Sequence, residues 1–340
     1  MAVLARHGRR THVFSGEERI VITVFGAPFG PHLLEALGDL PGVERVAPLT
    51  SAYKLASRES HPDDSVVAVG GRHIGGGDFA VIAGPAFAVD PGQILDTALR
   101  VAAAGASALR GGPAYGGAWG EEEAASADAL EPLFRAGQRA GLPVVAEVAE
   151  PADLAVVARF ADALHIAGHD MQNRPLLRAA SRLGRPILLE RSTSATVDEW
   201  LTAAEYVMHQ GNLGVVLCES GIRTFEADRA TTLDLSAVPV VKHRSHLPVV
   251  VNPGRATGHR HLVAAMALAA AAAGADGLVV DVHSPTEGEL AEGPHSLTFD
   301  EFRELMRRLE PLVAALSPAQ RRRVASSMSR SGPAGDAVSA

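Results

Sequence analysis

Eight short apolar runs alternate with longer helix-like patterns along most of the chain. The runs are apolar on both faces, which predicts strands that are buried on both sides, as in a parallel sheet covered by helices. Eight such pairs within about 240 residues predict an α/β fold, a (β/α)8 barrel. The predicted strands are residues 79–84, 107–112, 143–148, 163–168, 186–191, 214–220, 248–254 and 277–283.

The charge and composition of the chain exclude several classes of protein. The net charge is −8 and no basic block is present, which argues against nucleic-acid binding. The Ala-rich residues 262–274 are too short and too weakly hydrophobic to span a bilayer. Cys218 is the single cysteine, so an internal disulfide is excluded. We therefore expect a cytoplasmic protein without a membrane partner.

Recognisable motifs follow the predicted strands. They read IAGPAFA from Ile82, LRGGPAYGG from Leu109, IAGHDMQN from Ile166, LLERS from Leu188, LCESGIRTFE from Leu217, HLPVVVNPGRATG from His246 and DGLVVDVH from Asp276. They resemble motifs of the type Iβ 3-deoxy-7-phosphoheptulonate (DAHP) synthases: IAGPC, LRGGAFKPRTSP, IGARNMQN, LLKRG, LCERGIRTFE, HLPVIVDPSHATG and EVHP. The resemblance covers residues 50–297. It implies a TIM barrel and a metal-dependent aldol enzyme of the shikimate pathway.

The N-terminal part differs from the barrel pattern. Residues 19–27 and 42–49 predict strands on either side of a helix, and the resemblance identifies them as about half of a ferredoxin-like βαββαβ unit. The glycine-rich residues 70–79 predict a flexible connection. We expect a truncated ferredoxin-like domain with its linker at 1–70, the barrel at 71–325 and a disordered tail at 326–340.

The resemblance places the family's divalent-metal ligands where this chain has other residues. The Cys corresponds to Ala86, the His to Arg255, the Glu to Asp281 and the final Asp to Glu292. Alanine has no ligand atom, and arginine brings a permanent cation. We therefore expect no metal cofactor and an Arg255–Asp281 ion pair in its place. The sequence leaves open whether Asp281 and Glu292 still hold an ion.

The family's substrate-binding cations are also replaced. The basic KPRTSP segment becomes PAYGGAWG at residues 113–120, and family cations correspond to His169, Glu190 and Ser220. Each charged contact to a phosphate contributes about 1.5–3 kcal/mol. The losses therefore predict that phosphoenolpyruvate cannot bind in the family's manner.

Polar side chains nevertheless remain at the predicted strand ends, where barrels carry their active sites. His169 and Glu190 are suited to proton transfer, and Lys242 is a candidate Schiff-base lysine. The predicted catalytic residues are His169, Glu190, Arg255, Asp281 and Lys242. The predicted substrate-binding residues are Arg110, Glu147, Gln172, Arg191, Glu219, Arg223, Asn252 and His283. A framework role that joins the loops stays open for Glu147, Gln172, Glu219 and Arg223. His165 is either a core histidine or a working one.

Two functions stay open. The first is a metal-independent lyase, aldolase or isomerase that acts on a small anionic metabolite, shikimate- or chorismate-related or enolpyruvyl-like, in specialised metabolism. The second is an inactive regulatory scaffold that binds a partner enzyme such as a chorismate mutase, as relatives in this family do. Ala86, Arg255 and the missing basic loop make an active DAHP synthase the weakest reading. The resemblance also implies a homo-oligomer.

Overall fold

The computed structural model describes residues 4, 10–15, 20–25, 31–44, 46, 52–86, 91–112, 125–226, 231–283 and 294–316. Its strands are β1 (Arg10–Ser15), β2 (Ile20–Phe25), β3 (Val66–Val69), β4 (Arg72–Gly75), β5 (Ala80–Gly84), β6 (Ala108–Gly111), β7 (Val144–Glu147), β8 (Ala163–Ile166), β9 (Ile187–Glu190), β10 (Val215–Glu219), β11 (Val249–Val251) and β12 (Gly277–Asp281). Its helices are α1 (Pro31–Gly38), α2 (Pro91–Ala103), α3 (Ala127–Ala140), α4 (Leu154–Phe160), α5 (Arg174–Ser181), α6 (Val197–His209), α7 (Ala237–Arg244), α8 (Pro253–Thr257), α9 (Arg260–Ala272) and α10 (Phe299–Ala315).

Strands β5 to β12 form a closed parallel barrel in chain order, and β12 pairs with β5 to complete it. All eight predicted barrel strands are present, and each is shorter than predicted; β11 differs most, with three residues instead of seven. The barrel strands are buried along their whole length. The predicted (β/α)8 fold is therefore confirmed.

A β-hairpin made of β3 and β4 packs into the N-terminal end of the barrel. Val67, Val69 and Ile74 of the hairpin belong to the same buried cluster as the inward-facing barrel residues Ile82 and Val279. The strands are antiparallel, and glycines 70 and 71 turn between them with positive φ angles of 51° and 82°. Residues 70–75 thus belong to an ordered hairpin instead of the expected flexible connection, because the hairpin buries apolar side chains against the barrel interior.

The N-terminal region contains a second hairpin and one helix. β1 pairs with β2 in antiparallel register, and α1 follows. β1 was not predicted from the sequence, whereas the predicted strand at 42–49 is not a strand at its described residues, 42–44 and 46. The division at residue 70 falls inside the β3–β4 hairpin and stays a prediction. The predicted tail at 326–340 lies outside the described residues.

The sequence predicts that residues 262–274 do not span a bilayer. In the described ranges, no helix combines the length and the apolar character that crossing a bilayer requires.

Candidate active site

The polar residues predicted at the strand ends do meet at one end of the barrel. Glu147, Glu190, Glu219 and Asp281 are the last residues of β7, β9, β10 and β12, and Asn252 directly follows β11. Because all barrel strands run in parallel, their carboxyl ends lie on the same side. We call this end the mouth. All five side chains are buried, so each needs a polar partner.

The first group at the mouth is centred on Asp281. The Arg110 guanidinium donates to Asp281 Oδ1, and His295 Nε2 lies 3.0 Å from Asp281 Oδ2. Burial lowers the pKa of Arg110. Burial and the positive charges of Arg110 and Arg255 lower the pKa of His295 to about 4, so this imidazole is neutral at pH 7. The predicted Arg255–Asp281 ion pair is wrong, because the buried Arg110 on β6 reaches Asp281 instead.

The second group is centred on Glu190. His165 Nε2 lies 3.1 Å from Glu190 Oε2, and His165 Nδ1 lies 3.7 Å from Glu147 Oε2. Arg255 Nε lies 3.7 Å from Glu190 Oε1. Burial alone would raise the pKa of Glu190, but the hydrogen bond from His165 and the charges of Arg255 and Arg110 lower it to about 2.

Arg255 is the solvent-facing member of this second group. Its side chain is 42% exposed, whereas that of Glu190 is 5% exposed. The negative charge of Glu190 raises the pKa of Arg255 despite partial burial. A permanent cation thus faces the solvent beside a buried carboxylate that stays ionised at neutral pH.

Three of the predicted substrate-binding residues connect the loops around the mouth. Arg191 Nη1 donates to Glu219 Oε2 at 2.9 Å and to Asp234 Oδ2 at 3.1 Å. Glu219 also accepts from the backbone of Gly221 at 2.8 Å. Arg223 is exposed, and its backbone N–H donates to the carbonyl oxygen of Thr193 at 2.7 Å. The side-chain contacts favour the framework role for Glu219 and Arg191, whereas the contact of Arg223 is made by its backbone and leaves the role of its side chain a prediction.

Two other predicted substrate-binding residues are buried near the ends of β11 and β12. Asn252 Oδ1 accepts from the backbone of Arg255 at 3.0 Å and caps α8. Asn252 Nδ2 has no hydrogen-bond partner among the described residues. His283 is buried two residues beyond β12.

Three predicted residues do not join the groups around Glu190 and Asp281. Lys242 Nζ binds both carboxylate oxygens of Asp276 at 2.9 Å, and Asp276 precedes β12, at the opposite end of the barrel. This position contradicts a Schiff-base role at the mouth. His169 is 63% exposed and contacts Asp170 at 3.2 Å. Gln172 is exposed and lines a groove between α5 and α6 on the outside of the barrel.

Two histidines lie at the mouth, and the sequence did not assign either of them to the site. The sequence leaves His165 open as a core or a working histidine. The strand register would have favoured a place in the site, because His165 pairs with Glu147 across β7 and β8 and the two side chains therefore share one face. His295 was not predicted, because it lies in the long segment between β12 and α10 and no motif there indicates which residue reaches the mouth. Neither histidine could be assigned from motif matching alone.

Comparison with known proteins identifies relatives of this barrel. A sequence model described as the DAHP synthetase I family matches residues 64–315. The phospho-2-dehydro-3-deoxyheptonate aldolase of Thermotoga maritima is 38% identical over 314 residues, which cover 90% of this chain and 91% of that protein. The 2-dehydro-3-deoxyphosphooctonate aldolase of Nitratidesulfovibrio vulgaris is 30% identical over 192 residues, 54% of this chain and 70% of that protein.

Solved structures show the same relationship. The crystal structure of phospho-2-dehydro-3-deoxyheptonate aldolase (DAHP synthase) from Thermotoga maritima has a TM-score of 0.76 at 37% identity, covering 93% of this chain and 92% of that one. A truncated form of the 3-deoxy-D-arabino-heptulosonate 7-phosphate synthase from the same organism has a TM-score of 0.73 at 39% identity. It covers 78% of this chain and 98% of its own.

The prediction that the metal cofactor has been lost is wrong. The 38% identical relative is a DAHP synthase, from a family that uses a divalent metal, and nothing in the comparisons indicates a loss. The prediction treated the imidazole ligand as removed with Arg255, but His295 places another imidazole beside Asp281. These two side chains are the oxygen and nitrogen donors that would contribute to a metal site. Across the described residues, no group of three or more His, Cys, Asp or Glu side chains is arranged to hold an ion, and Glu292 lies outside them.

The family match, the relative and the solved structures agree with the motifs and with the barrel. The match spans most of the barrel, and the identity extends along nine-tenths of the chain. Fold and sequence therefore support the same aldolase-type enzyme class. The chain belongs to the DAHP synthetase I family.

Proposed function

We propose that this aldolase-type enzyme makes or breaks a carbon–carbon bond in a small carboxylate substrate other than phosphoenolpyruvate. One observation carries the proposal. Glu190, which corresponds to a family lysine, is buried at the mouth with its pKa lowered to about 2. A fixed negative charge therefore stands where the family's motif has a cation.

The charges around Glu190 favour a substrate with one carboxylate over a phosphate ester. Arg110 is nearly fully buried and already neutralises Asp281. Arg255 is the more exposed of the two guanidinium groups, and a single guanidinium can bind one carboxylate through two parallel hydrogen bonds. A phosphate dianion close to Arg255 would also be repelled by Glu190.

Glu190 contributes as an anion in this proposal. A carboxyl group with a pKa of about 2 is a poor proton carrier at neutral pH, so Glu190 holds His165 and Arg255 in position. Arg255 orients the substrate carboxylate. A divalent metal, when bound, supplies Lewis-acid polarisation of a carbonyl group, and Asp281 and His295 would contribute to holding it.

The test compares the enzyme with two variants at Glu190, all assayed with added Mn²⁺. We expect the unmodified protein to turn over phosphoenolpyruvate and erythrose 4-phosphate well below about 1 s⁻¹. Glu190→Gln removes the charge and keeps the shape, and we expect it to bind phosphoenolpyruvate about tenfold more tightly. Glu190→Lys restores the family residue and tests the same effect.

Two results would contradict the proposal. Turnover of the family substrates at about 1 s⁻¹ or faster would make the chain an ordinary DAHP synthase. Unchanged binding of pyruvate and other small carboxylates in Arg255→Ala would remove the substrate role of Arg255. If no carboxylate binds at all, the regulatory scaffold with a partner enzyme becomes the better reading. The homo-oligomer stays a prediction that mass photometry can test.

A further inference from the structure

A groove on the outer wall of the barrel lies apart from the mouth. Its cavity volume is about 570 Å³, within the range of about 300–1,000 Å³ for small-molecule sites. Gln172, predicted at the mouth, lines it. The remaining lining residues come from the segment before β3, from the β8–α5 region and from α6.

The floor of the groove is apolar. Met171, Leu177 and Ala203 are buried, and the ring of Tyr206 is half-buried beside them. The Tyr206 hydroxyl accepts a hydrogen bond from Arg178 Nε at 3.0 Å, which fixes the ring. Because Met171 and Leu177 are already buried, a flat apolar ligand would cover mainly the exposed part of the Tyr206 ring, which lies above them.

The acidic residues of the groove are already engaged. Glu205 Oε2 accepts from the backbone of Ala56 at 2.9 Å. Glu199 accepts from the backbone and the hydroxyl of Thr196 at 2.8 and 2.9 Å in the capping box of α6. Their carboxylates therefore serve the protein's own N–H and O–H groups.

Two permanent cations, Lys54 and Arg174, also line the groove. Neither Lys54 nor Arg174 forms an ion pair with a carboxylate in the part of the chain that the structure describes. The Arg174 guanidinium carbon lies 5.7 Å from the centre of the Tyr206 ring, so the cation stands at the edge of the apolar floor. The groove thus combines an apolar surface with two cations that form no ion pair and two carboxylates that are engaged by the protein's own N–H and O–H groups.

We propose that this groove is a second ligand site, which binds a small carboxylate with a flat apolar body. The body packs on the Tyr206 ring, above the buried Met171 and Leu177, and the carboxylate pairs with Arg174 and Lys54. A neutral analogue loses the ion pairs, and a cationic analogue is repelled. The proposal is independent of the reaction at the mouth.

The test measures the binding of three probes that share the naphthalene body and carry an anionic, a neutral or a cationic side chain: naphthaleneacetate, naphthaleneacetamide and naphthylethylamine. Calorimetry gives the affinity, and the labelled methyl group of Met171, assigned with Met171→Leu, reports the place by NMR. We expect the acid to bind at least about tenfold more tightly than the amide. The amine should bind more weakly than the amide, and the acid should shift the Met171 signal.

Surface variants test whether Arg174 and Lys54 pair with the carboxylate of the probe. Arg174→Glu and Lys54→Glu should each weaken the acid about tenfold, and Arg174→Lys should retain most of the affinity. Arg182→Glu makes the same charge change at an exposed position beyond the end of α5 and should have little effect. Thr202→Trp fills the groove and should block all three probes.

Four outcomes would overturn the proposal, and the first three concern the probes and the surface variants. The amide binds as tightly as the acid, or Arg174→Glu and Arg182→Glu have equal effects, or the acid binds without shifting the Met171 signal. Loss of acid binding in Arg255→Ala would assign the probe to the mouth. That result would leave the proposed function at the mouth standing and would remove the groove site.

Discussion

His246 should make the protein less stable in mild acid. It is 1% exposed and holds the segment before β3 against the barrel. Its Nε2 lies 2.7 Å from the Leu55 carbonyl oxygen and its Nδ1 lies 2.7 Å from Ser65 Oγ. Burial lowers the pKa of His246 from 6.5 to about 3, the charges of His61 and Arg58 act in the same direction, and the Leu55 hydrogen bond and Asp64 oppose it.

The sign of the effect follows from proton uptake. Between pH 6.5 and about 3 the unfolded chain binds a proton at this histidine and the folded chain does not, so stability falls as the pH falls. Integrating from pH 7 to pH 5 gives a loss of about 2 kcal/mol in the free energy of unfolding from this one group.

Urea unfolding at pH 7 and pH 5 measures the loss, with the fluorescence of the buried Trp200 as a probe. His246→Asn should be less stable at pH 7, and it should lose about 2 kcal/mol less than the unmodified protein between the two pH values. His243→Asn, an exposed histidine on α7, is the control and should keep the full dependence. If all three proteins lose stability in parallel, His246 does not stay neutral in the folded state and the reasoning fails.

Three further predictions concern stability. Arg110→Met removes the cation from the buried Asp281 and leaves it only the neutral His295, which should cost about 3–5 kcal/mol. Arg255→Met, at a half-exposed position, should cost about 1 kcal/mol or less; equal costs in urea unfolding would contradict the assignment. Gly277→Ala places a Cβ 2.1 Å from a backbone oxygen of β5 and should prevent the barrel from closing. The control Gly38→Ala meets nothing within 4 Å and should be neutral or stabilising. Circular dichroism measures both effects. Lys242→Met should destabilise the fold by about 3–5 kcal/mol, because Asp276 loses its cation. Lys242 should also form no Schiff base, so treatment of the unmodified protein with borohydride and pyruvate should trap no adduct.

The barrel could be predicted from the sequence because its pattern is local and repeated. A strand buried on both faces, such as β9, reads as an uninterrupted apolar run, and the following helix changes the period. The β3–β4 hairpin was misread because its glycines also suit a linker. Only contact with the barrel interior shows that Val67 and Ile74 are buried.

The site was predicted in its parts but not in its pairing. The motifs placed Glu190, Arg255 and Asp281 at the mouth, where the structure has them. They also suggested that Arg255 would neutralise Asp281, whereas Arg110 does so and Arg255 lies near Glu190. The direction of a long side chain depends on neighbours from other strands, which a motif does not contain.

The sequence by itself determined the family, the barrel and the residues available at its mouth. The reason is that the periodicity of apolar residues in strands and helices, and the motifs, depend only on residues close together in the chain. Only the tertiary structure decided which charges neutralise each other and which residues leave the mouth. Lys242 lies at the other end of the barrel and Gln172 lies in the outer groove, although both follow family motifs. Ion pairing and burial are set by distances between segments far apart in the chain, and those distances exist only after the barrel closes.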